Sequence, residues 1–343
     1  MNRTGEMLLT YVLVVCSCVW RVRGGITLPG HGTVLHFYKN TTCGNDIELY
    51  VKRQVKLMYD KDPSVAPALL WLIYADCFVT GCDASILLVG KDSEQTAPQN
   101  QGLSPIALDL VNRIKKVLEI RCPRTVSCAD ILHLAARDAA SMAGAPAYPV
   151  FTGRRDGYKS SAKQHEMRLA HLIPDSLPCS PACTAPEQTG AHTMGRTRCS
   201  YIRGRLYNFQ GTGKPDPTMN STLVSQLRKL CPKDGGSSND TLVFMNPESG
   251  PSFKFRSTYY ARLLTHEAVL RIDQQIILNK DMREISEQFA TGAPGNPGRE
   301  DFRQSFALSI SRLGNLGILN GDQGEIRKHC AYTNAQYDKL FPN

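Results

Sequence analysis

Apolar residues recur at helical spacing through much of the chain. In NDIELYVKRQVKLMYDKDP (45–63), Ile47, Leu49, Val51, Val55 and Leu57 predict a partly apolar helix ended by Pro63. SVAPALLWLIYADCF (64–78) predicts a second helix. PIALDLVNRIKKVLEIRCP (105–123) places Ile106, Leu108, Val111, Ile114, Val117 and Leu118 close to the i, i+3, i+4, i+7 pattern and stops at Pro123. SCADILHLAARDAASMAG (127–144) predicts a fourth, with Ser127 as N-cap, Asp130 three residues on and Gly144 past its end. DMREISEQF (281–289) and FRQSFALSISRLGNLG (302–317) predict two more. Strand-like stretches are few, so the pattern alone gives an all-α domain. PDSLPCSPACTAPEQ (174–188), with four prolines, and TGAPGNPG (291–298) interrupt the order as linkers or insertions. No repeat of fixed period is visible.

The 343 residues suffice for one large domain or two small ones, and 42% hydrophobic with 21% charged residues is ordinary for a globular chain. The net charge of +9 is scattered. The densest basic run, RIKKVLEIR (113–121), reads as the polar face of a helix, and no basic stripe interleaved with aromatics suggests nucleic-acid binding. GTGKP (211–215) lacks the spacing of a phosphate-binding loop.

The N-terminus changes the picture. MLLTYVLVVCSCVW (7–20) is an apolar run flanked by Arg3 and by Arg21 and Arg23. It falls short of the ~20 residues that span a bilayer, so residues 1–25 read as a signal peptide with a loose cleavage region at 22–25. No later segment would anchor the chain in a membrane. Loss of Cys16 and Cys18 with that signal leaves ten of the 12 cysteines, an even number that suits a disulfide framework in a secreted protein. Zinc is the rival, but the spacings of Cys122/Cys128 and Cys179/Cys183 are poor for it. Sequons at Asn40, Asn220 and Asn239 fit export.

A set of motifs then goes further: FYKNTTC (37–43), DCFVTGCDASILL (76–88), SEQTAPQN (93–100), CPRTVSCADIL (122–132), LAARDAA (134–140), GRRD (153–156), GAHTMG (190–195), RLYNF (205–209), PDPTMN (215–220), Cys231-Pro232, Asp273-Gln274 and GEIRKHC (324–330). With these, residues 26–343 resemble the secretory plant-type (class III) haem peroxidases over nearly their whole length. The resemblance implies the haem-peroxidase fold, with haem b between a distal and a proximal helix, four disulfides and bound calcium. It implies oxidation of small phenolic donors by hydrogen peroxide, in a response to oxidative stress. The implied disulfides are Cys43–Cys122, Cys77–Cys82, Cys128–Cys330 and Cys199–Cys231, with Cys179 and Cys183 left over.

On the same resemblance, His192 matches the axial ligand of the haem iron, and Asp273 matches the carboxylate that holds its other ring nitrogen. His133, His165, His171 and His266 match no functional position. Calcium takes six to eight hard oxygens. The side chains of Asp76, Asp83 and Ser85 and the carbonyls of Val79 and Gly81 match a distal calcium site, with Glu94 the acid behind it. A proximal calcium is doubtful. Thr193 persists, but Arg256 of FRSTYY stands at an acid's position, Gly250 or Pro251 falls where a Thr belongs, and only Glu248 offers a carboxylate. Asp130 and Arg154 match a buried structural ion pair.

The catalytic positions depart most. Cleaving peroxide needs a base to carry a proton and a cation to stabilise the departing negative charge. The family supplies these as an Arg and a His at i and i+4, on one face of the distal helix. Here Trp71 and Ala75 stand there, while Asn100, the partner of the missing His, remains with nothing to hold. Ile73 also replaces a histidine. Tyr74, at the haem-facing aromatic position, is the one distal hydroxyl, and a phenol of pKa near ~10 is a weak base. Loss of an acid–base group costs roughly 10²–10⁴ in rate, and loss of a charge-stabilising donor roughly 10²–10³.

Residues 158–190 are atypical. The helix the family has there is missing, Thr184–Glu187 offers a capping box that could restart it, and the substrate-contacting proline is Pro174 or Pro178. A mis-spliced gene model and drift in a copy free of catalytic selection both account for this. The reading is a haem peroxidase with strongly impaired activity. The alternatives are a non-catalytic secreted haem- or calcium-binding protein on the same fold, and a chain that does not fold. The chain is expected to be monomeric and extracellular, in the cell wall, with the vacuole as the other destination.

Overall fold

The computed structural model describes residues 32–164, 190–234, 240–290 and 297–342. Residues 1–25, read as the signal, Cys179, Cys183, Pro174, Pro178, Thr184–Glu187, His165, His171, Asn239 and residues 291–296 lie outside them. The described chain is mainly helical. Its α-helices are α1 (Ile47–Lys61), α2 (Val65–Cys77), α3 (Pro105–Arg121), α4 (Cys128–Met142), α5 (Cys199–Tyr207), α6 (Ser221–Leu230), α7 (Thr258–Leu264), α8 (Arg271–Ile276), α9 (Lys280–Ala290), α10 (Pro297–Leu313) and α11 (Asn334–Leu340). Two antiparallel ribbons accompany them: β1 (Val34–Leu35) pairs with β2 (Phe151–Thr152), and β3 (Arg196–Arg198) with β4 (Leu242–Phe244).

Helix α1 forms as periodicity predicts, but its buried stripe is Ile47, Val51, Val55 and Tyr59. Leu49 and Leu57 are 67% and 62% exposed. At 100° per residue, two positions from Ile47 is the far side of the helix, and the i, i+4 row wins. In α3 the basic run is not wholly a polar face. Lys115 is buried and reaches the Glu119 carboxylate (2.6 Å) and the Val126 carbonyl (2.8 Å) with its ammonium. Helix α10 starts earlier than the apolar pattern suggests, inside the Gly/Pro stretch, and ends at Leu313 rather than 317.

Helix α4 is the hub, with α1, α2 and α3 packed on it. Ser127 caps it, accepting from the Asp130 N–H at 3.1 Å. The fully buried Asp156 adds a second, distant cap by accepting from the N–H groups of Cys128 (3.1 Å) and Ala129 (2.9 Å). Asp130 and Arg154 form the anticipated buried ion pair at 2.8 Å. Tyr38 and the Gly153 N–H satisfy the other oxygen of that carboxylate. The guanidinium bonds the Gly314 carbonyl as well, so neither charge is left bare.

All four implied disulfides are present: Cys43–Cys122, Cys77–Cys82, Cys128–Cys330 and Cys199–Cys231. The third joins α4 to the C-terminal segment across 202 residues. Cross-links of this kind stabilise by about 2–4 kcal/mol each. A second, smaller core of Ile202, Leu206, Leu223, Val224 and Leu227 holds α5 to α6 beside the Cys199–Cys231 bridge.

Candidate active site

His192 sits in a short 3-10 turn, Gly190–Thr193, immediately before β3. Its Nδ1 bonds the Asp273 Oδ1 at 2.8 Å, across 81 residues. Asp273 lies in α8 and is buried, whereas the imidazole keeps a third of its surface open. The buried Arg205 steadies that helix. It pairs with Asp216 (2.6 Å) and bonds the carbonyls of Ala268 and Val269 just upstream. Gln274 ties α8 to the Leu263 carbonyl of α7. Burial alone would depress the imidazole's pKa, but the charge and hydrogen bond of Asp273 outweigh it and raise it above the ordinary value. An imidazole held this way presents Nε2 as a strong donor to a metal.

Helix α2 runs beside this segment. A methyl on Gly195 would lie 3.2 Å from Pro67 Cβ, and one on Gly102 would meet the Trp71 ring at 2.9 Å with Arg198 Nε 3.8 Å away. Pro67, Trp71 and Ala75 share one face at i, i+4 spacing; Pro67 lies by Gly195, three residues after His192, and Trp71 lies by Gly102. Trp71 is half-buried and Ala75 buried. Neither can take or give a proton. Tyr74 stacks on Phe78 at 5.7 Å between ring centres, and burial raises its phenol above the ordinary value, so even less of it is ionised at neutral pH than of a free tyrosine.

Beyond Ala75 the helix end becomes polar. Asp76 Oδ2 accepts from the Ala84 N–H (2.9 Å), and its Oδ1 from Ser85 Oγ (3.4 Å) and the Ile86 N–H (3.3 Å). Asp83 Oδ1 accepts from the Ser85 N–H and from Thr80 Oγ1, both at 3.1 Å. Asp76, Asp83 and Glu94 are all buried, and both Glu94 oxygens lack a hydrogen-bond partner among the described residues. Burial, then the charges of Asp83 and Glu94, raises Asp76 well above the carboxylate range. Burial also raises Asp83 and pushes Glu94 up to about 8. Three buried carboxylates beside the Ser85 hydroxyl form a donor set that a hard dication fits.

Sequence reasoning missed two supports of this loop. Arg327, fully buried, donates to the carbonyls of Ala84 (2.8 Å), Cys330 (3.1 Å) and Gly157 (2.5 Å), and its charge bears on Asp83 and Glu94. Gly157 leaves room for Asp83, whose Oδ2 would lie 2.1 Å from a Cβ there. Both sit in motifs visible in the sequence, GEIRKHC and GRRDG, but nothing in either string names its partner. Asn100 is not idle. Its Nδ2 donates to the Glu94 backbone carbonyl at 2.8 Å, tying the distal side to the loop.

Thr193 is engaged by protein groups. Its hydroxyl donates to the Arg256 carbonyl and accepts from the Arg256 N–H at 3.1 Å. Its carbonyl accepts from Asn246 Nδ2, also at 3.1 Å. His133 is buried 3.7 Å from Cys77 Sγ, and burial holds it well below its ordinary pKa. With both neighbouring sulfurs in the Cys77–Cys82 bridge, it is a neutral core residue. A surface cleft of about 510 Å³ between His36, Lys52 and Arg137 shares no residue with the His192 site, and its Arg137 and His36 are already paired with Glu48.

A family model described as Peroxidase matches residues 51–292. The chain is 52% identical over 309 residues to Probable peroxidase 61 of Arabidopsis thaliana, covering 88% of each chain. It is 47% identical over 307 residues to Probable peroxidase 26 of the same plant, covering 87% of this chain and 89% of that one. A peroxidase of Armoracia rusticana is 35% identical over 319 residues, covering 87% of this chain and 91% of its own.

Proposed function

The chain belongs to the peroxidase family, and from that premise we propose that it is a secreted haem peroxidase whose activation of peroxide is strongly impaired. The observation that carries this reading is the pair Trp71 and Ala75 on one face of α2, beside the segment that carries His192. His192 would hold the haem iron, and haem so bound would supply the redox centre that reduces peroxide at the expense of a phenolic donor. Asp273 keeps the proton on Nδ1 and makes Nε2 the ligand atom. On the opposite side, no group of α2 from Trp71 to Ala75 can receive the first peroxide proton at neutral pH. The Tyr74 phenol is further from doing so than an exposed tyrosine. Nor does that stretch contain a cation to meet the developing negative charge. Trp71 puts an indole ring against Gly102 where the family has a flexible cation.

Calcium belongs to the Asp76–Glu94 loop in this reading, held by Asp76, Asp83, Ser85, Val79 and Gly81, with Glu94 behind. The chain is read as monomeric and extracellular, in the cell wall, with the vacuole as the other destination. No helix among the described residues is long and apolar enough to cross a membrane.

The test is reconstitution with haem and calcium, then rapid mixing with one equivalent of peroxide while the Soret band is followed. Haem uptake with a slow spectral response supports the reading. A prompt Soret change would refute the impairment. Slow bleaching without turnover of a phenol would favour a non-catalytic haem- or calcium-binding protein, the second reading, which the same Trp71 packing supports. Failure to take up haem would overturn the first reading and favour the third, a chain that does not fold.

A further inference from the structure

The residue after the candidate haem ligand is Thr193, and each of the two oxygens it could offer a second cation already accepts a hydrogen bond from a protein N–H. Its carbonyl receives the amide of Asn246, a side chain with no exposed surface. The orientation of that amide is fixed from three sides. Its Oδ1 accepts from the Glu248 N–H at 3.3 Å, which can only donate. The NH₂ is thereby turned to the Thr193 carbonyl (3.1 Å) and to Thr258 Oγ1 (3.3 Å) at the start of α7. The Asn246 carbonyl is taken up in turn by Ser249, through its hydroxyl at 2.8 Å and its N–H at 3.1 Å. The Thr193 hydroxyl is held from the other direction by both main-chain groups of Arg256.

A dication in this place would need carboxylates and outward-facing oxygens. The structure offers an amide NH₂ in place of an oxygen. Glu248 and Arg256, the residues at which acids would be sought, are both exposed at the surface. The donor set therefore does not fit calcium. It does make a rigid tie. The pairing of β3 with β4, continued by the Met245 N–H to the Gly195 carbonyl at 3.2 Å, delivers Asn246 to Thr193. Asn246 and Arg256 then fasten Thr193 to the segments on either side of the 247–255 loop.

We propose that Asn246, with Thr193 and the main chain of Arg256, is a metal-free clamp that positions His192, so that the chain binds one calcium, at the Asp76–Glu94 loop, and none beside His192. Asn246 is a positioning residue, acting on His192 through Thr193 without touching the haem. The inference rests on the reading of His192 as the haem ligand, but its metal count does not depend on haem.

Two measurements on the full chain test it. The first is calcium content by plasma mass spectrometry after gel filtration at low free calcium, on haem-loaded and haem-free protein. One calcium per chain is expected, and two would overturn the proposal even if haem binds as proposed. The second is the iron–histidine stretching band of the reduced haem form by resonance Raman. Chelation of calcium is expected to leave this band in place, whereas Asn246→Ala is expected to shift or broaden it. A band that moves on chelation, or that stays put in Asn246→Ala, overturns the clamp. The count and the chelation arm use the unaltered chain, so the proposal remains decidable if Asn246→Ala fails to fold. Absence of haem uptake would refute the proposed function while leaving the calcium count to judge the clamp.

Discussion

Stripping calcium from the Asp76–Glu94 loop should make the chain less stable as pH rises through neutrality, opposite to the behaviour of a salt-bridged carboxylate. Glu94 is buried with no close hydrogen bond to either oxygen, and burial, only partly offset by the Ser85 hydroxyl, pushes its carboxyl from the ordinary 4.5 up to about 8. Asp76 and Asp83 are displaced in the same direction. A group whose pKa is raised on folding gives stability that is complete below its unfolded pKa and is lost as pH rises through the folded value. Between pH 4.5 and 8 the native, calcium-free chain thus holds a proton that the unfolded chain releases. Glu94 alone would contribute a slope of up to about 1.4 kcal/mol per pH unit, at most about 5 kcal/mol over that window. Arg327 works against the effect by stabilising the ionised form. With calcium bound, the cation holds the carboxylates ionised and the slope should flatten. Urea unfolding at pH 5, 6, 7 and 8, with EDTA and with excess calcium, measures this directly. Glu94→Gln, neutral in both states and of nearly the same volume, should lose part of the slope in EDTA. Stability in EDTA that is level or rises over this range would refute the reasoning, as would an equal slope with calcium present.

Gly157→Ala should weaken calcium binding and destabilise the chain by about 1–3 kcal/mol, because its Cβ would fall 2.1 Å from Asp83 Oδ2. Gly204→Ala, in α5 with nothing within 4 Å, is the control and should stabilise by about 0.5–1 kcal/mol; denaturant melts and calcium titrations measure both. Restoring the missing pair with Trp71→Arg and Ala75→His should raise the rate of reaction with peroxide by roughly 10² or more in stopped flow, while either change alone should gain less than the pair. Asp273→Asn keeps an acceptor for His192 but removes the charge. NMR titration of the haem-free protein should then show the imidazole pKa falling, with loss of the stabilisation that the raised pKa now supplies at acid pH.

What the sequence disclosed depended on whether a residue's partner was also written in a motif. His192 and Asp273 were legible because both members of the pair stand in recognisable strings, and the structure joins them at 2.8 Å. Arg327 was hidden because all its side-chain hydrogen bonds run to main-chain carbonyls, which any residue type provides. Asn246 was hidden by register. Matching FRSTYY to the family left Glu248 as the one carboxylate for a site with Thr193, whereas the β3–β4 ribbon brings the residue two places earlier to Thr193. Helix α1 was legible as a helix, but its buried face was not. Leu49 and Leu57 looked like core residues until the i, i+4 row of Ile47, Val51, Val55 and Tyr59 met α4. Helices α5 to α8 went unassigned, being at most ten residues long and giving too few turns for a clear period.

Along α2 the requirements of fold and of chemistry separate at one residue. From Val65 to Ala75 the helix needs only apolar side chains on the faces it buries against α4 and the rest of the core, and Trp71 and Ala75 meet that need. Replacing a buried Arg and His by apolar groups even removes a desolvation cost, so the fold exerts no pull to keep them. From Asp76 onward the reverse holds. Asp76 receives the Ala84 and Ile86 N–H groups, Cys77 is bridged to Cys82, and Asp83 lies under Gly157, so each polar residue there is also a structural one. Peroxide chemistry can therefore be lost from this helix as far as Ala75 with no loss of stability to oppose it. The Asp76–Glu94 loop cannot be lost without undoing the end of α2 and its links to Arg327 and the C-terminal segment.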